Sequence, residues 1–177
     1  SHVSLTETQI EENIRMFTGN NHVTYPQWKK EAMAILGSSG MLREFWHTTI
    51  LKRVGPPAVH KITHEAISEK SVSKIMDDLE LHYGRSDVVI TLLTDLHERA
   101  GPIPDPQLEP RSCHKVLALH SKILSGMSEF IQSSSDQDRH KNLYNPFVCK
   151  TLFKLIPQSV HFNNPIFRTS LESAGMD

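Results

Sequence analysis

The chain has 177 residues, of which 38% are hydrophobic and 22% charged, an ordinary globular composition that allows one domain or two small ones. The chain has 19 lysines and arginines and 20 acidic residues. The net charge of −1 argues against a domain that binds nucleic acid mainly by counter-ion release. No apolar run approaches the roughly 18 residues of a membrane span and no secretory signal opens the sequence, so we expect a soluble, intracellular protein that binds no membrane.

Strand signals are nearly absent, and apolar residues at helical spacing predict an all-α fold. Residues 3–14 form either a short helix or a tail. Pro26 suits the first position of a helix that ends in a left-handed residue at Gly37. The inward stripe of this helix consists of Trp28, Ala32, Ile35 and Leu36.

Three further helices are predicted before residue 85. The next one runs to about residue 53, and its apolar residues are Leu42, Phe45, Trp46, Ile50 and Leu51. A third begins at Pro56 or Pro57 and carries Ala58, Val59, Ile62 and Ala66 inward. Ser71 caps a fourth, which ends at Tyr83-Gly84 and has Val72, Ile75, Met76 and Leu79 on its inner face.

The second half of the chain alternates helices with polar or proline-rich breaks. Ser86 and Asp87 favour the start of a helix that runs to about Arg99. Four prolines between residues 101 and 110 predict an extended loop, and a long helix follows, with Val116 to Ile131 as its apolar stretch. A polar linker at 133–139, an apolar helix at 147–156 and one short helix in the tail at 162–177 bring the total to about nine.

Metal binding is not favoured by the sequence. His60 and His64 stand at i and i+4 on the predicted third helix, but Lys61 occupies the place where zinc proteases carry a glutamate. Cys113-His114 with His120 lacks the two-residue gap of a zinc turn. Two cysteines, Cys113 and Cys149, are too few for a disulfide framework or a four-cysteine zinc site, which indicates a reducing compartment.

Catalytic motifs are also missing. No Gly-x-Ser-x-Gly elbow occurs, neither cysteine is tied to a base, and the segment 37–40 lacks the lysine and threonine of a phosphate loop. Asp77, Asp78 and Glu80 are predicted to form a solvated acidic face. We therefore expect no enzyme, no catalytic residue, no cofactor and no metal, and a helical protein that binds.

An ordered set of residues resembles the capsid region of LTR-retrotransposon Gag proteins, of the Bel/Pao or gypsy type. Phe17-x-Gly19 followed by Tyr25-x-x-Trp28 is similar to the start of the family's amino-terminal lobe. The similarity continues with Leu51, Gly55, Ala58 and Ile62, although glycine and alanine here stand three apart rather than two, and then with Leu79, Tyr83 and Gly84. Val88–Leu96, the proline loop, Leu117–Ile131 and Leu152–Pro157 resemble the second lobe.

The resemblance implies two small helical lobes, at residues 15–85 and 86–177, preceded by a tail or short helix at 1–14. In this family the amino-terminal lobe forms rings of five or six, and the carboxy-terminal lobe forms dimers that link the rings. The implied function is that of a structural capsid protein, which self-assembles into a cytoplasmic virus-like shell around RNA. RNA capture is expected only through segments outside this chain. The matched residues are a fold signature and catalyse nothing.

The assembly contacts are predicted less directly. Trp46 is a candidate anchor of the ring contact on condition that it is exposed, and Met127 and Phe130 are candidates for the dimer contact, with burial in the core as the alternative. A helical adaptor that binds a partner's peptide in a groove, including a domesticated Gag that no longer assembles, is the competing interpretation.

Overall fold

A computed structural model describes residues 6–133 together with Lys150 and Lys154. Within these residues the fold is all-α, as predicted. The chain divides into two compact units, Ser1–Val89 (the first unit) and Ile90–Asp177 (the second unit). The predicted domain boundaries stay predictions, and the linker, the helix at 147–156 and the tail helix lie outside the described residues, apart from the two lysines.

Seven α-helices follow one another along the described chain. The first unit contains α1 (Glu7–Asn13), α2 (Tyr25–Ser38), α3 (Trp46–Lys52), α4 (His64–Ser68) and α5 (Val72–Tyr83). Two 3₁₀ turns, at Arg43–Phe45 and Ala58–Lys61, precede α3 and α4. α6 (Ser86–Ala100) begins in the first unit and continues in the second, and α7 (Pro110–Ser133) belongs to the second.

Side-chain caps explain where several helices begin. The Thr6 hydroxyl accepts a hydrogen bond from the Gln9 amide while the Gln9 side chain accepts one from the Thr6 amide, so residues 7–13 form a helix rather than a tail. The Ser71 hydroxyl accepts from the Lys74 amide at 3.2 Å, which confirms the predicted cap of α5. α5 also ends at Tyr83, as predicted.

The predicted left-handed stop at Gly37 is wrong. Gly37 lies inside α2, which extends to Ser38, and the residue with positive φ is Gly40, at +79°. The Ser39 hydroxyl donates to the Leu36 carbonyl at 2.7 Å and so satisfies one of the carbonyls left free at the helix end. The left-handed turn therefore comes after the helix rather than at its last residues.

The predicted third helix is broken into two pieces, although Ala58, Ile62 and Ala66 are buried. After the 3₁₀ turn at Ala58–Lys61, the residues Ile62 and Thr63 have extended backbones. The Thr63 hydroxyl then accepts from the Ala66 amide at 3.2 Å and starts α4. His60 and His64 consequently do not share one helix face, which removes the geometry on which a two-histidine metal hypothesis would rest.

Asp78 connects α5 to the start of α4 and is not simply part of a solvated acidic face. Its carboxylate accepts hydrogen bonds from the Thr63 amide at 2.9 Å and from the Thr63 hydroxyl at 2.8 Å. We expect Asp78→Ala to destabilise the first unit by about 1–2 kcal/mol, because both bonds have an ionised acceptor. Asp77→Ala removes an exposed neighbour on the same helix and is the control. Equal urea midpoints for the two variants would contradict the assignment.

The core of the first unit lies between α1, α2, α3 and α5. Its fully buried large side chains include Phe17, Tyr25, Trp28, Leu36, Ile50, Ile75 and Leu79. The stripe predicted on α2 is confirmed for Trp28, Ala32 and Leu36, whereas Ile35 is only partly buried. Aromatic and branched apolar residues thus supply most of the burial that stabilises this unit.

The second unit is described from Ile90 to Ser133. Gly101 has a φ of +83° and ends α6, and the proline-rich stretch contains no helix until α7 begins at Pro110. α7 begins six residues before the predicted apolar stretch and runs to Ser133. The first of its buried residues is His120, the eleventh of its 24 residues.

Candidate functional site

Four residues of the fold signature form an aromatic cluster centred on Phe17. The Phe17 ring stacks on Trp28 at a centroid distance of 5.3 Å, and it meets Tyr25 and Tyr83 edge-to-face at 5.8 and 5.2 Å. Phe17, Tyr25 and Trp28 are each at most 1% exposed. Such pairs add to the stability that burial already supplies.

Two side chains of this cluster donate hydrogen bonds to main-chain carbonyls of the first unit. The Trp28 indole donates to the Arg15 carbonyl at 2.8 Å, and the Tyr25 hydroxyl donates to the Met76 carbonyl at 2.8 Å. Burial, with the nearby Glu80 and Asp77 carboxylates as smaller contributions, raises the pKa of Tyr25, so its hydroxyl stays protonated. The cluster is therefore a structural centre and offers no acid or base for chemistry.

Two features require a glycine at position 19: the backbone conformation and the nearby ring of Tyr83. Its φ is +83°, and a Cβ at this position would lie 2.6 Å from the Tyr83 ring. Next to it the Phe17 amide donates to the Arg53 carbonyl at 2.9 Å, and the Gly55 amide donates to the Phe17 carbonyl at 2.8 Å. These bonds attach the segment before α2 to the turn after α3.

The other signature residues occupy core or turn positions. Ala58, Ile62 and Leu79 are buried, and Leu51 is partly buried against the same core. Gly84 follows α5 directly, and a Cβ there would lie 2.8 Å from the Glu80 carbonyl oxygen. Each of these residues therefore contributes to the packing of the core or to a turn.

The predicted assembly residues are not exposed. Trp46 is 8% exposed and its indole donates to the Met41 carbonyl at 3.0 Å, so it fails the condition of exposure on which its role depended. Met127 and Phe130 are 6% and 3% exposed. Burial, the alternative stated for these two residues, is what the structure shows.

Two other apolar side chains of the first unit are exposed instead. Leu42 is 62% and Phe45 51% exposed, although both belong to the apolar residues at helical spacing on which the predicted helix was based. They border a surface hollow of about 300 Å³, which is lined by Glu7, Ile10, Ser39, Gly40, Met41, Leu42 and Phe45. We call these residues the apolar patch.

Hydrogen bonds fix the backbone of the loop that carries Leu42 and Phe45. The Met41 amide donates to the Ser39 hydroxyl at 3.1 Å, and the Met41 carbonyl accepts from the Trp46 indole. The Phe45 amide donates to the Leu42 carbonyl at 3.0 Å, which closes the 3₁₀ turn. These bonds fix the backbone that carries Leu42 and Phe45, which lowers the backbone entropy that binding a partner would cost.

Sequence periodicity could not reveal this patch. Leu42, Phe45 and Trp46 follow helical spacing, but residues 43–45 form a 3₁₀ turn with three residues per turn rather than 3.6. The change of pitch places Trp46 inward and leaves Leu42 and Phe45 outside. Arg43 and Glu44 between them were the available signal, because charged neighbours mark a short exposed turn.

Two features are absent from the part of the chain that the structure describes. Among the described residues, no group of three or more histidine, cysteine, aspartate or glutamate side chains is placed to hold a metal ion. In the same part of the chain, no helix combines the length and the apolar character that crossing a membrane requires. What the first unit does offer is an ordered apolar surface beside one carboxylate.

Comparison with protein families, characterised proteins and solved structures gives no significant match.

Proposed function

We propose that the chain is a capsid protein of the retrotransposon Gag type, which assembles with copies of itself into a virus-like shell in the cytoplasm. The observation that carries the proposal is the apolar patch, which presents Leu42 and Phe45 on an ordered turn. The resemblance in sequence supplies the type of assembly, with rings from the first unit and dimers from the second.

The energetics of the patch suit a contact that is repeated many times. Completing the burial of Leu42 and Phe45 would contribute about 1–2 kcal/mol for each side chain. A single contact of this strength is weak, and a shell multiplies it over many copies. Near-neutral net charge helps, because copies of the chain repel one another little.

The same charge balance does not favour RNA binding by this chain alone. Packaging of RNA is therefore assigned in the proposal to segments outside these 177 residues.

The assembly experiment combines light scattering with negative-stain microscopy over a series of protein and salt concentrations. We expect rings, tubes or closed particles from the chain as it stands. The variant Leu42→Gln/Phe45→Gln should remain dispersed at concentrations where the parent assembles, since it makes the patch polar while the core is unchanged.

The matched control is Leu81→Gln. Leu81 is 75% exposed on α5 of the same unit and lies outside the apolar patch, so its replacement should leave assembly intact. Equal loss of assembly in both variants would contradict the role of the patch. A parent chain that stays monomeric at high protein and salt concentrations would contradict self-assembly.

A helical adaptor is the second candidate, and the hollow that the apolar patch lines favours it. Its volume of about 300 Å³ can take one large apolar side chain, and Glu7 at its wall can pair with a basic neighbour in a partner peptide. A monomeric chain that binds such a peptide, and loses that binding in Leu42→Gln/Phe45→Gln, would establish this function instead.

A further inference from the structure

Two histidines are buried against each other in the second unit, where neither the apolar patch nor the fold signature involves them. His97 on α6 is 1% exposed and His120 on α7 is 2% exposed. Their rings stack at a centroid distance of 5.1 Å with an interplanar angle of 16°, and their Nδ1 atoms lie 2.8 Å apart. We call them the histidine pair.

The hydrogen bonds fix the tautomer of each ring. His120 Nε2 lies 2.6 Å from the Gly101 carbonyl oxygen, which can only accept, so Nε2 carries the proton. In a neutral ring His120 Nδ1 is then an acceptor, and His97 Nδ1 must donate to it. His97 Nε2 is left as a bare lone pair, and it is buried with no hydrogen-bond partner among the described residues.

The histidine pair has no favourable position for an additional proton. A proton on His97 Nε2 creates a buried N–H without an acceptor among the described residues. A proton on His120 Nδ1 forces His97 to become the acceptor and moves its own proton to the same orphaned Nε2. Either way a charge is buried beside a second imidazole, and among the described residues only His120 contributes an electrostatic effect on His97, which is unfavourable.

Among the described residues, the positions one turn away from each histidine on its own helix carry no aspartate, glutamate, lysine or arginine. One helical turn before His97 on α6 lie Leu93 and Thr94, and the Thr94 hydroxyl donates to the Ile90 carbonyl. On α7 the neighbours of His120 at three, four and seven positions are apolar except for Cys113, which is half-buried. In the connecting loop the ionisable residues are Asp105 and Glu109. Burial, followed by the charge of His120, lowers the pKa of His97 to about 4.

We propose that the histidine pair is a proton-sensitive contact that holds α6, the Gly101 turn and α7 together at neutral pH and weakens in mild acid. The pair joins all three elements through one chain of hydrogen bonds, so losing it affects each of them. This inference concerns the second unit alone and is independent of the proposed assembly function.

The direction of the effect follows from proton binding. Unfolding or opening exposes His97 and restores its ordinary pKa of 6.5, so the open state binds more protons below that pH. Between about pH 7.5 and about pH 5 the equilibrium between the closed and the open second unit should shift about 30-fold toward the open state. The contribution of His97 to the stability of the second unit is complete above the ordinary pKa of histidine, and it falls as the pH decreases below that value.

The test uses the whole chain and two readouts. Nitrogen-15 NMR of the imidazoles near pH 7.5 should show His97 protonated at Nδ1 and His120 at Nε2. Hydrogen exchange, corrected for the intrinsic effect of pH, should show α6 and α7 losing protection near pH 5. The helices α2 and α5 of the first unit serve as the internal reference.

His97→Asn separates titration from packing. The asparagine amide nitrogen can take the place of Nδ1–H and still donate to His120, while the titrating ring and its orphaned nitrogen are gone. This variant should lose most of the acid response. His114→Asn replaces an exposed histidine on α7 and should retain the response in full.

Three results would overturn the proposal. One is His97 in the folded chain titrating near its ordinary pKa, a result that the parent chain gives even if the variant does not fold. Another is the opposite tautomer at His120, and the third is an unchanged acid response in His97→Asn.

Discussion

Trp28→Ala is expected to unfold the first unit, with a loss of about 3–5 kcal/mol in the free energy of unfolding. Trp28 is 0% exposed, stacks on Phe17 and donates to the Arg15 carbonyl. Truncation removes one of the two tryptophans of the core, so Phe17 loses its stacked neighbour and the Arg15 carbonyl loses the indole donor. A loss of this size is comparable to the whole stability of a small domain.

The measurement is urea unfolding followed by tryptophan fluorescence. Both tryptophans of the chain lie in the first unit, so Trp46 still reports on this unit when Trp28 is replaced. Trp28→Phe keeps a ring in the core but loses the bond to Arg15, and it should fall between the parent and the alanine variant. Leu81→Ala, at an exposed site, should remain within about 0.5 kcal/mol of the parent. Equal losses in Trp28→Ala and Leu81→Ala would contradict a core role for Trp28.

Gly19→Ala should produce the second large effect, a loss of about 2–4 kcal/mol, because two penalties coincide. An alanine with a φ of +83° is strained, and its Cβ would lie 2.6 Å from the Tyr83 ring. Tyr83 can relieve the overlap only by leaving its edge-to-face contact with Phe17. The Tyr83 side chain is flexible in itself, but its packing against the core restricts its movement.

Gly40→Ala is a matched control that isolates the backbone penalty. Gly40 has a nearly identical φ of +79°, and no heavy atom comes within 4 Å of a Cβ built there. We expect it to cost about 1–2 kcal/mol, the penalty of a left-handed residue alone. In the background of Tyr83→Leu the cost of Gly19→Ala should approach that of Gly40→Ala. If Gly19→Ala and Gly40→Ala cost the same free energy of unfolding in the parent background, the overlap with Tyr83 would be contradicted.

Helices with a local signal at each end could be predicted from sequence. α5 has a serine cap, a clear apolar stripe and a glycine directly after its last residue, and both its bounds were predicted correctly. The break before Thr63 was missed, although Thr63 followed by Glu65 is an ordinary helix start. The continuous apolar spacing of Ala58, Ile62 and Ala66 concealed this start, because it fits one helix as well as two pieces.

The candidate site could not be predicted in the same way. Whether Leu42, Phe45 or Trp46 is buried depends on the pitch of three residues and on the position of the Met41 carbonyl, which are properties of the folded chain. The partnership of His97 with His120 joins two helices that are separated by a proline-rich loop. Neither residue belongs to a local motif, so only the structure reveals that they meet.

The cluster around Phe17 has a consequence for synthesis on the ribosome. Phe17 is made early, yet one of its ring partners, Tyr83, closes the last helix that lies wholly within the first unit. A nascent chain can form α1 and α2 but cannot complete the cluster until Tyr83 has left the exit tunnel. Contacts between such distant positions slow folding, so this unit should acquire its structure late and in one concerted step.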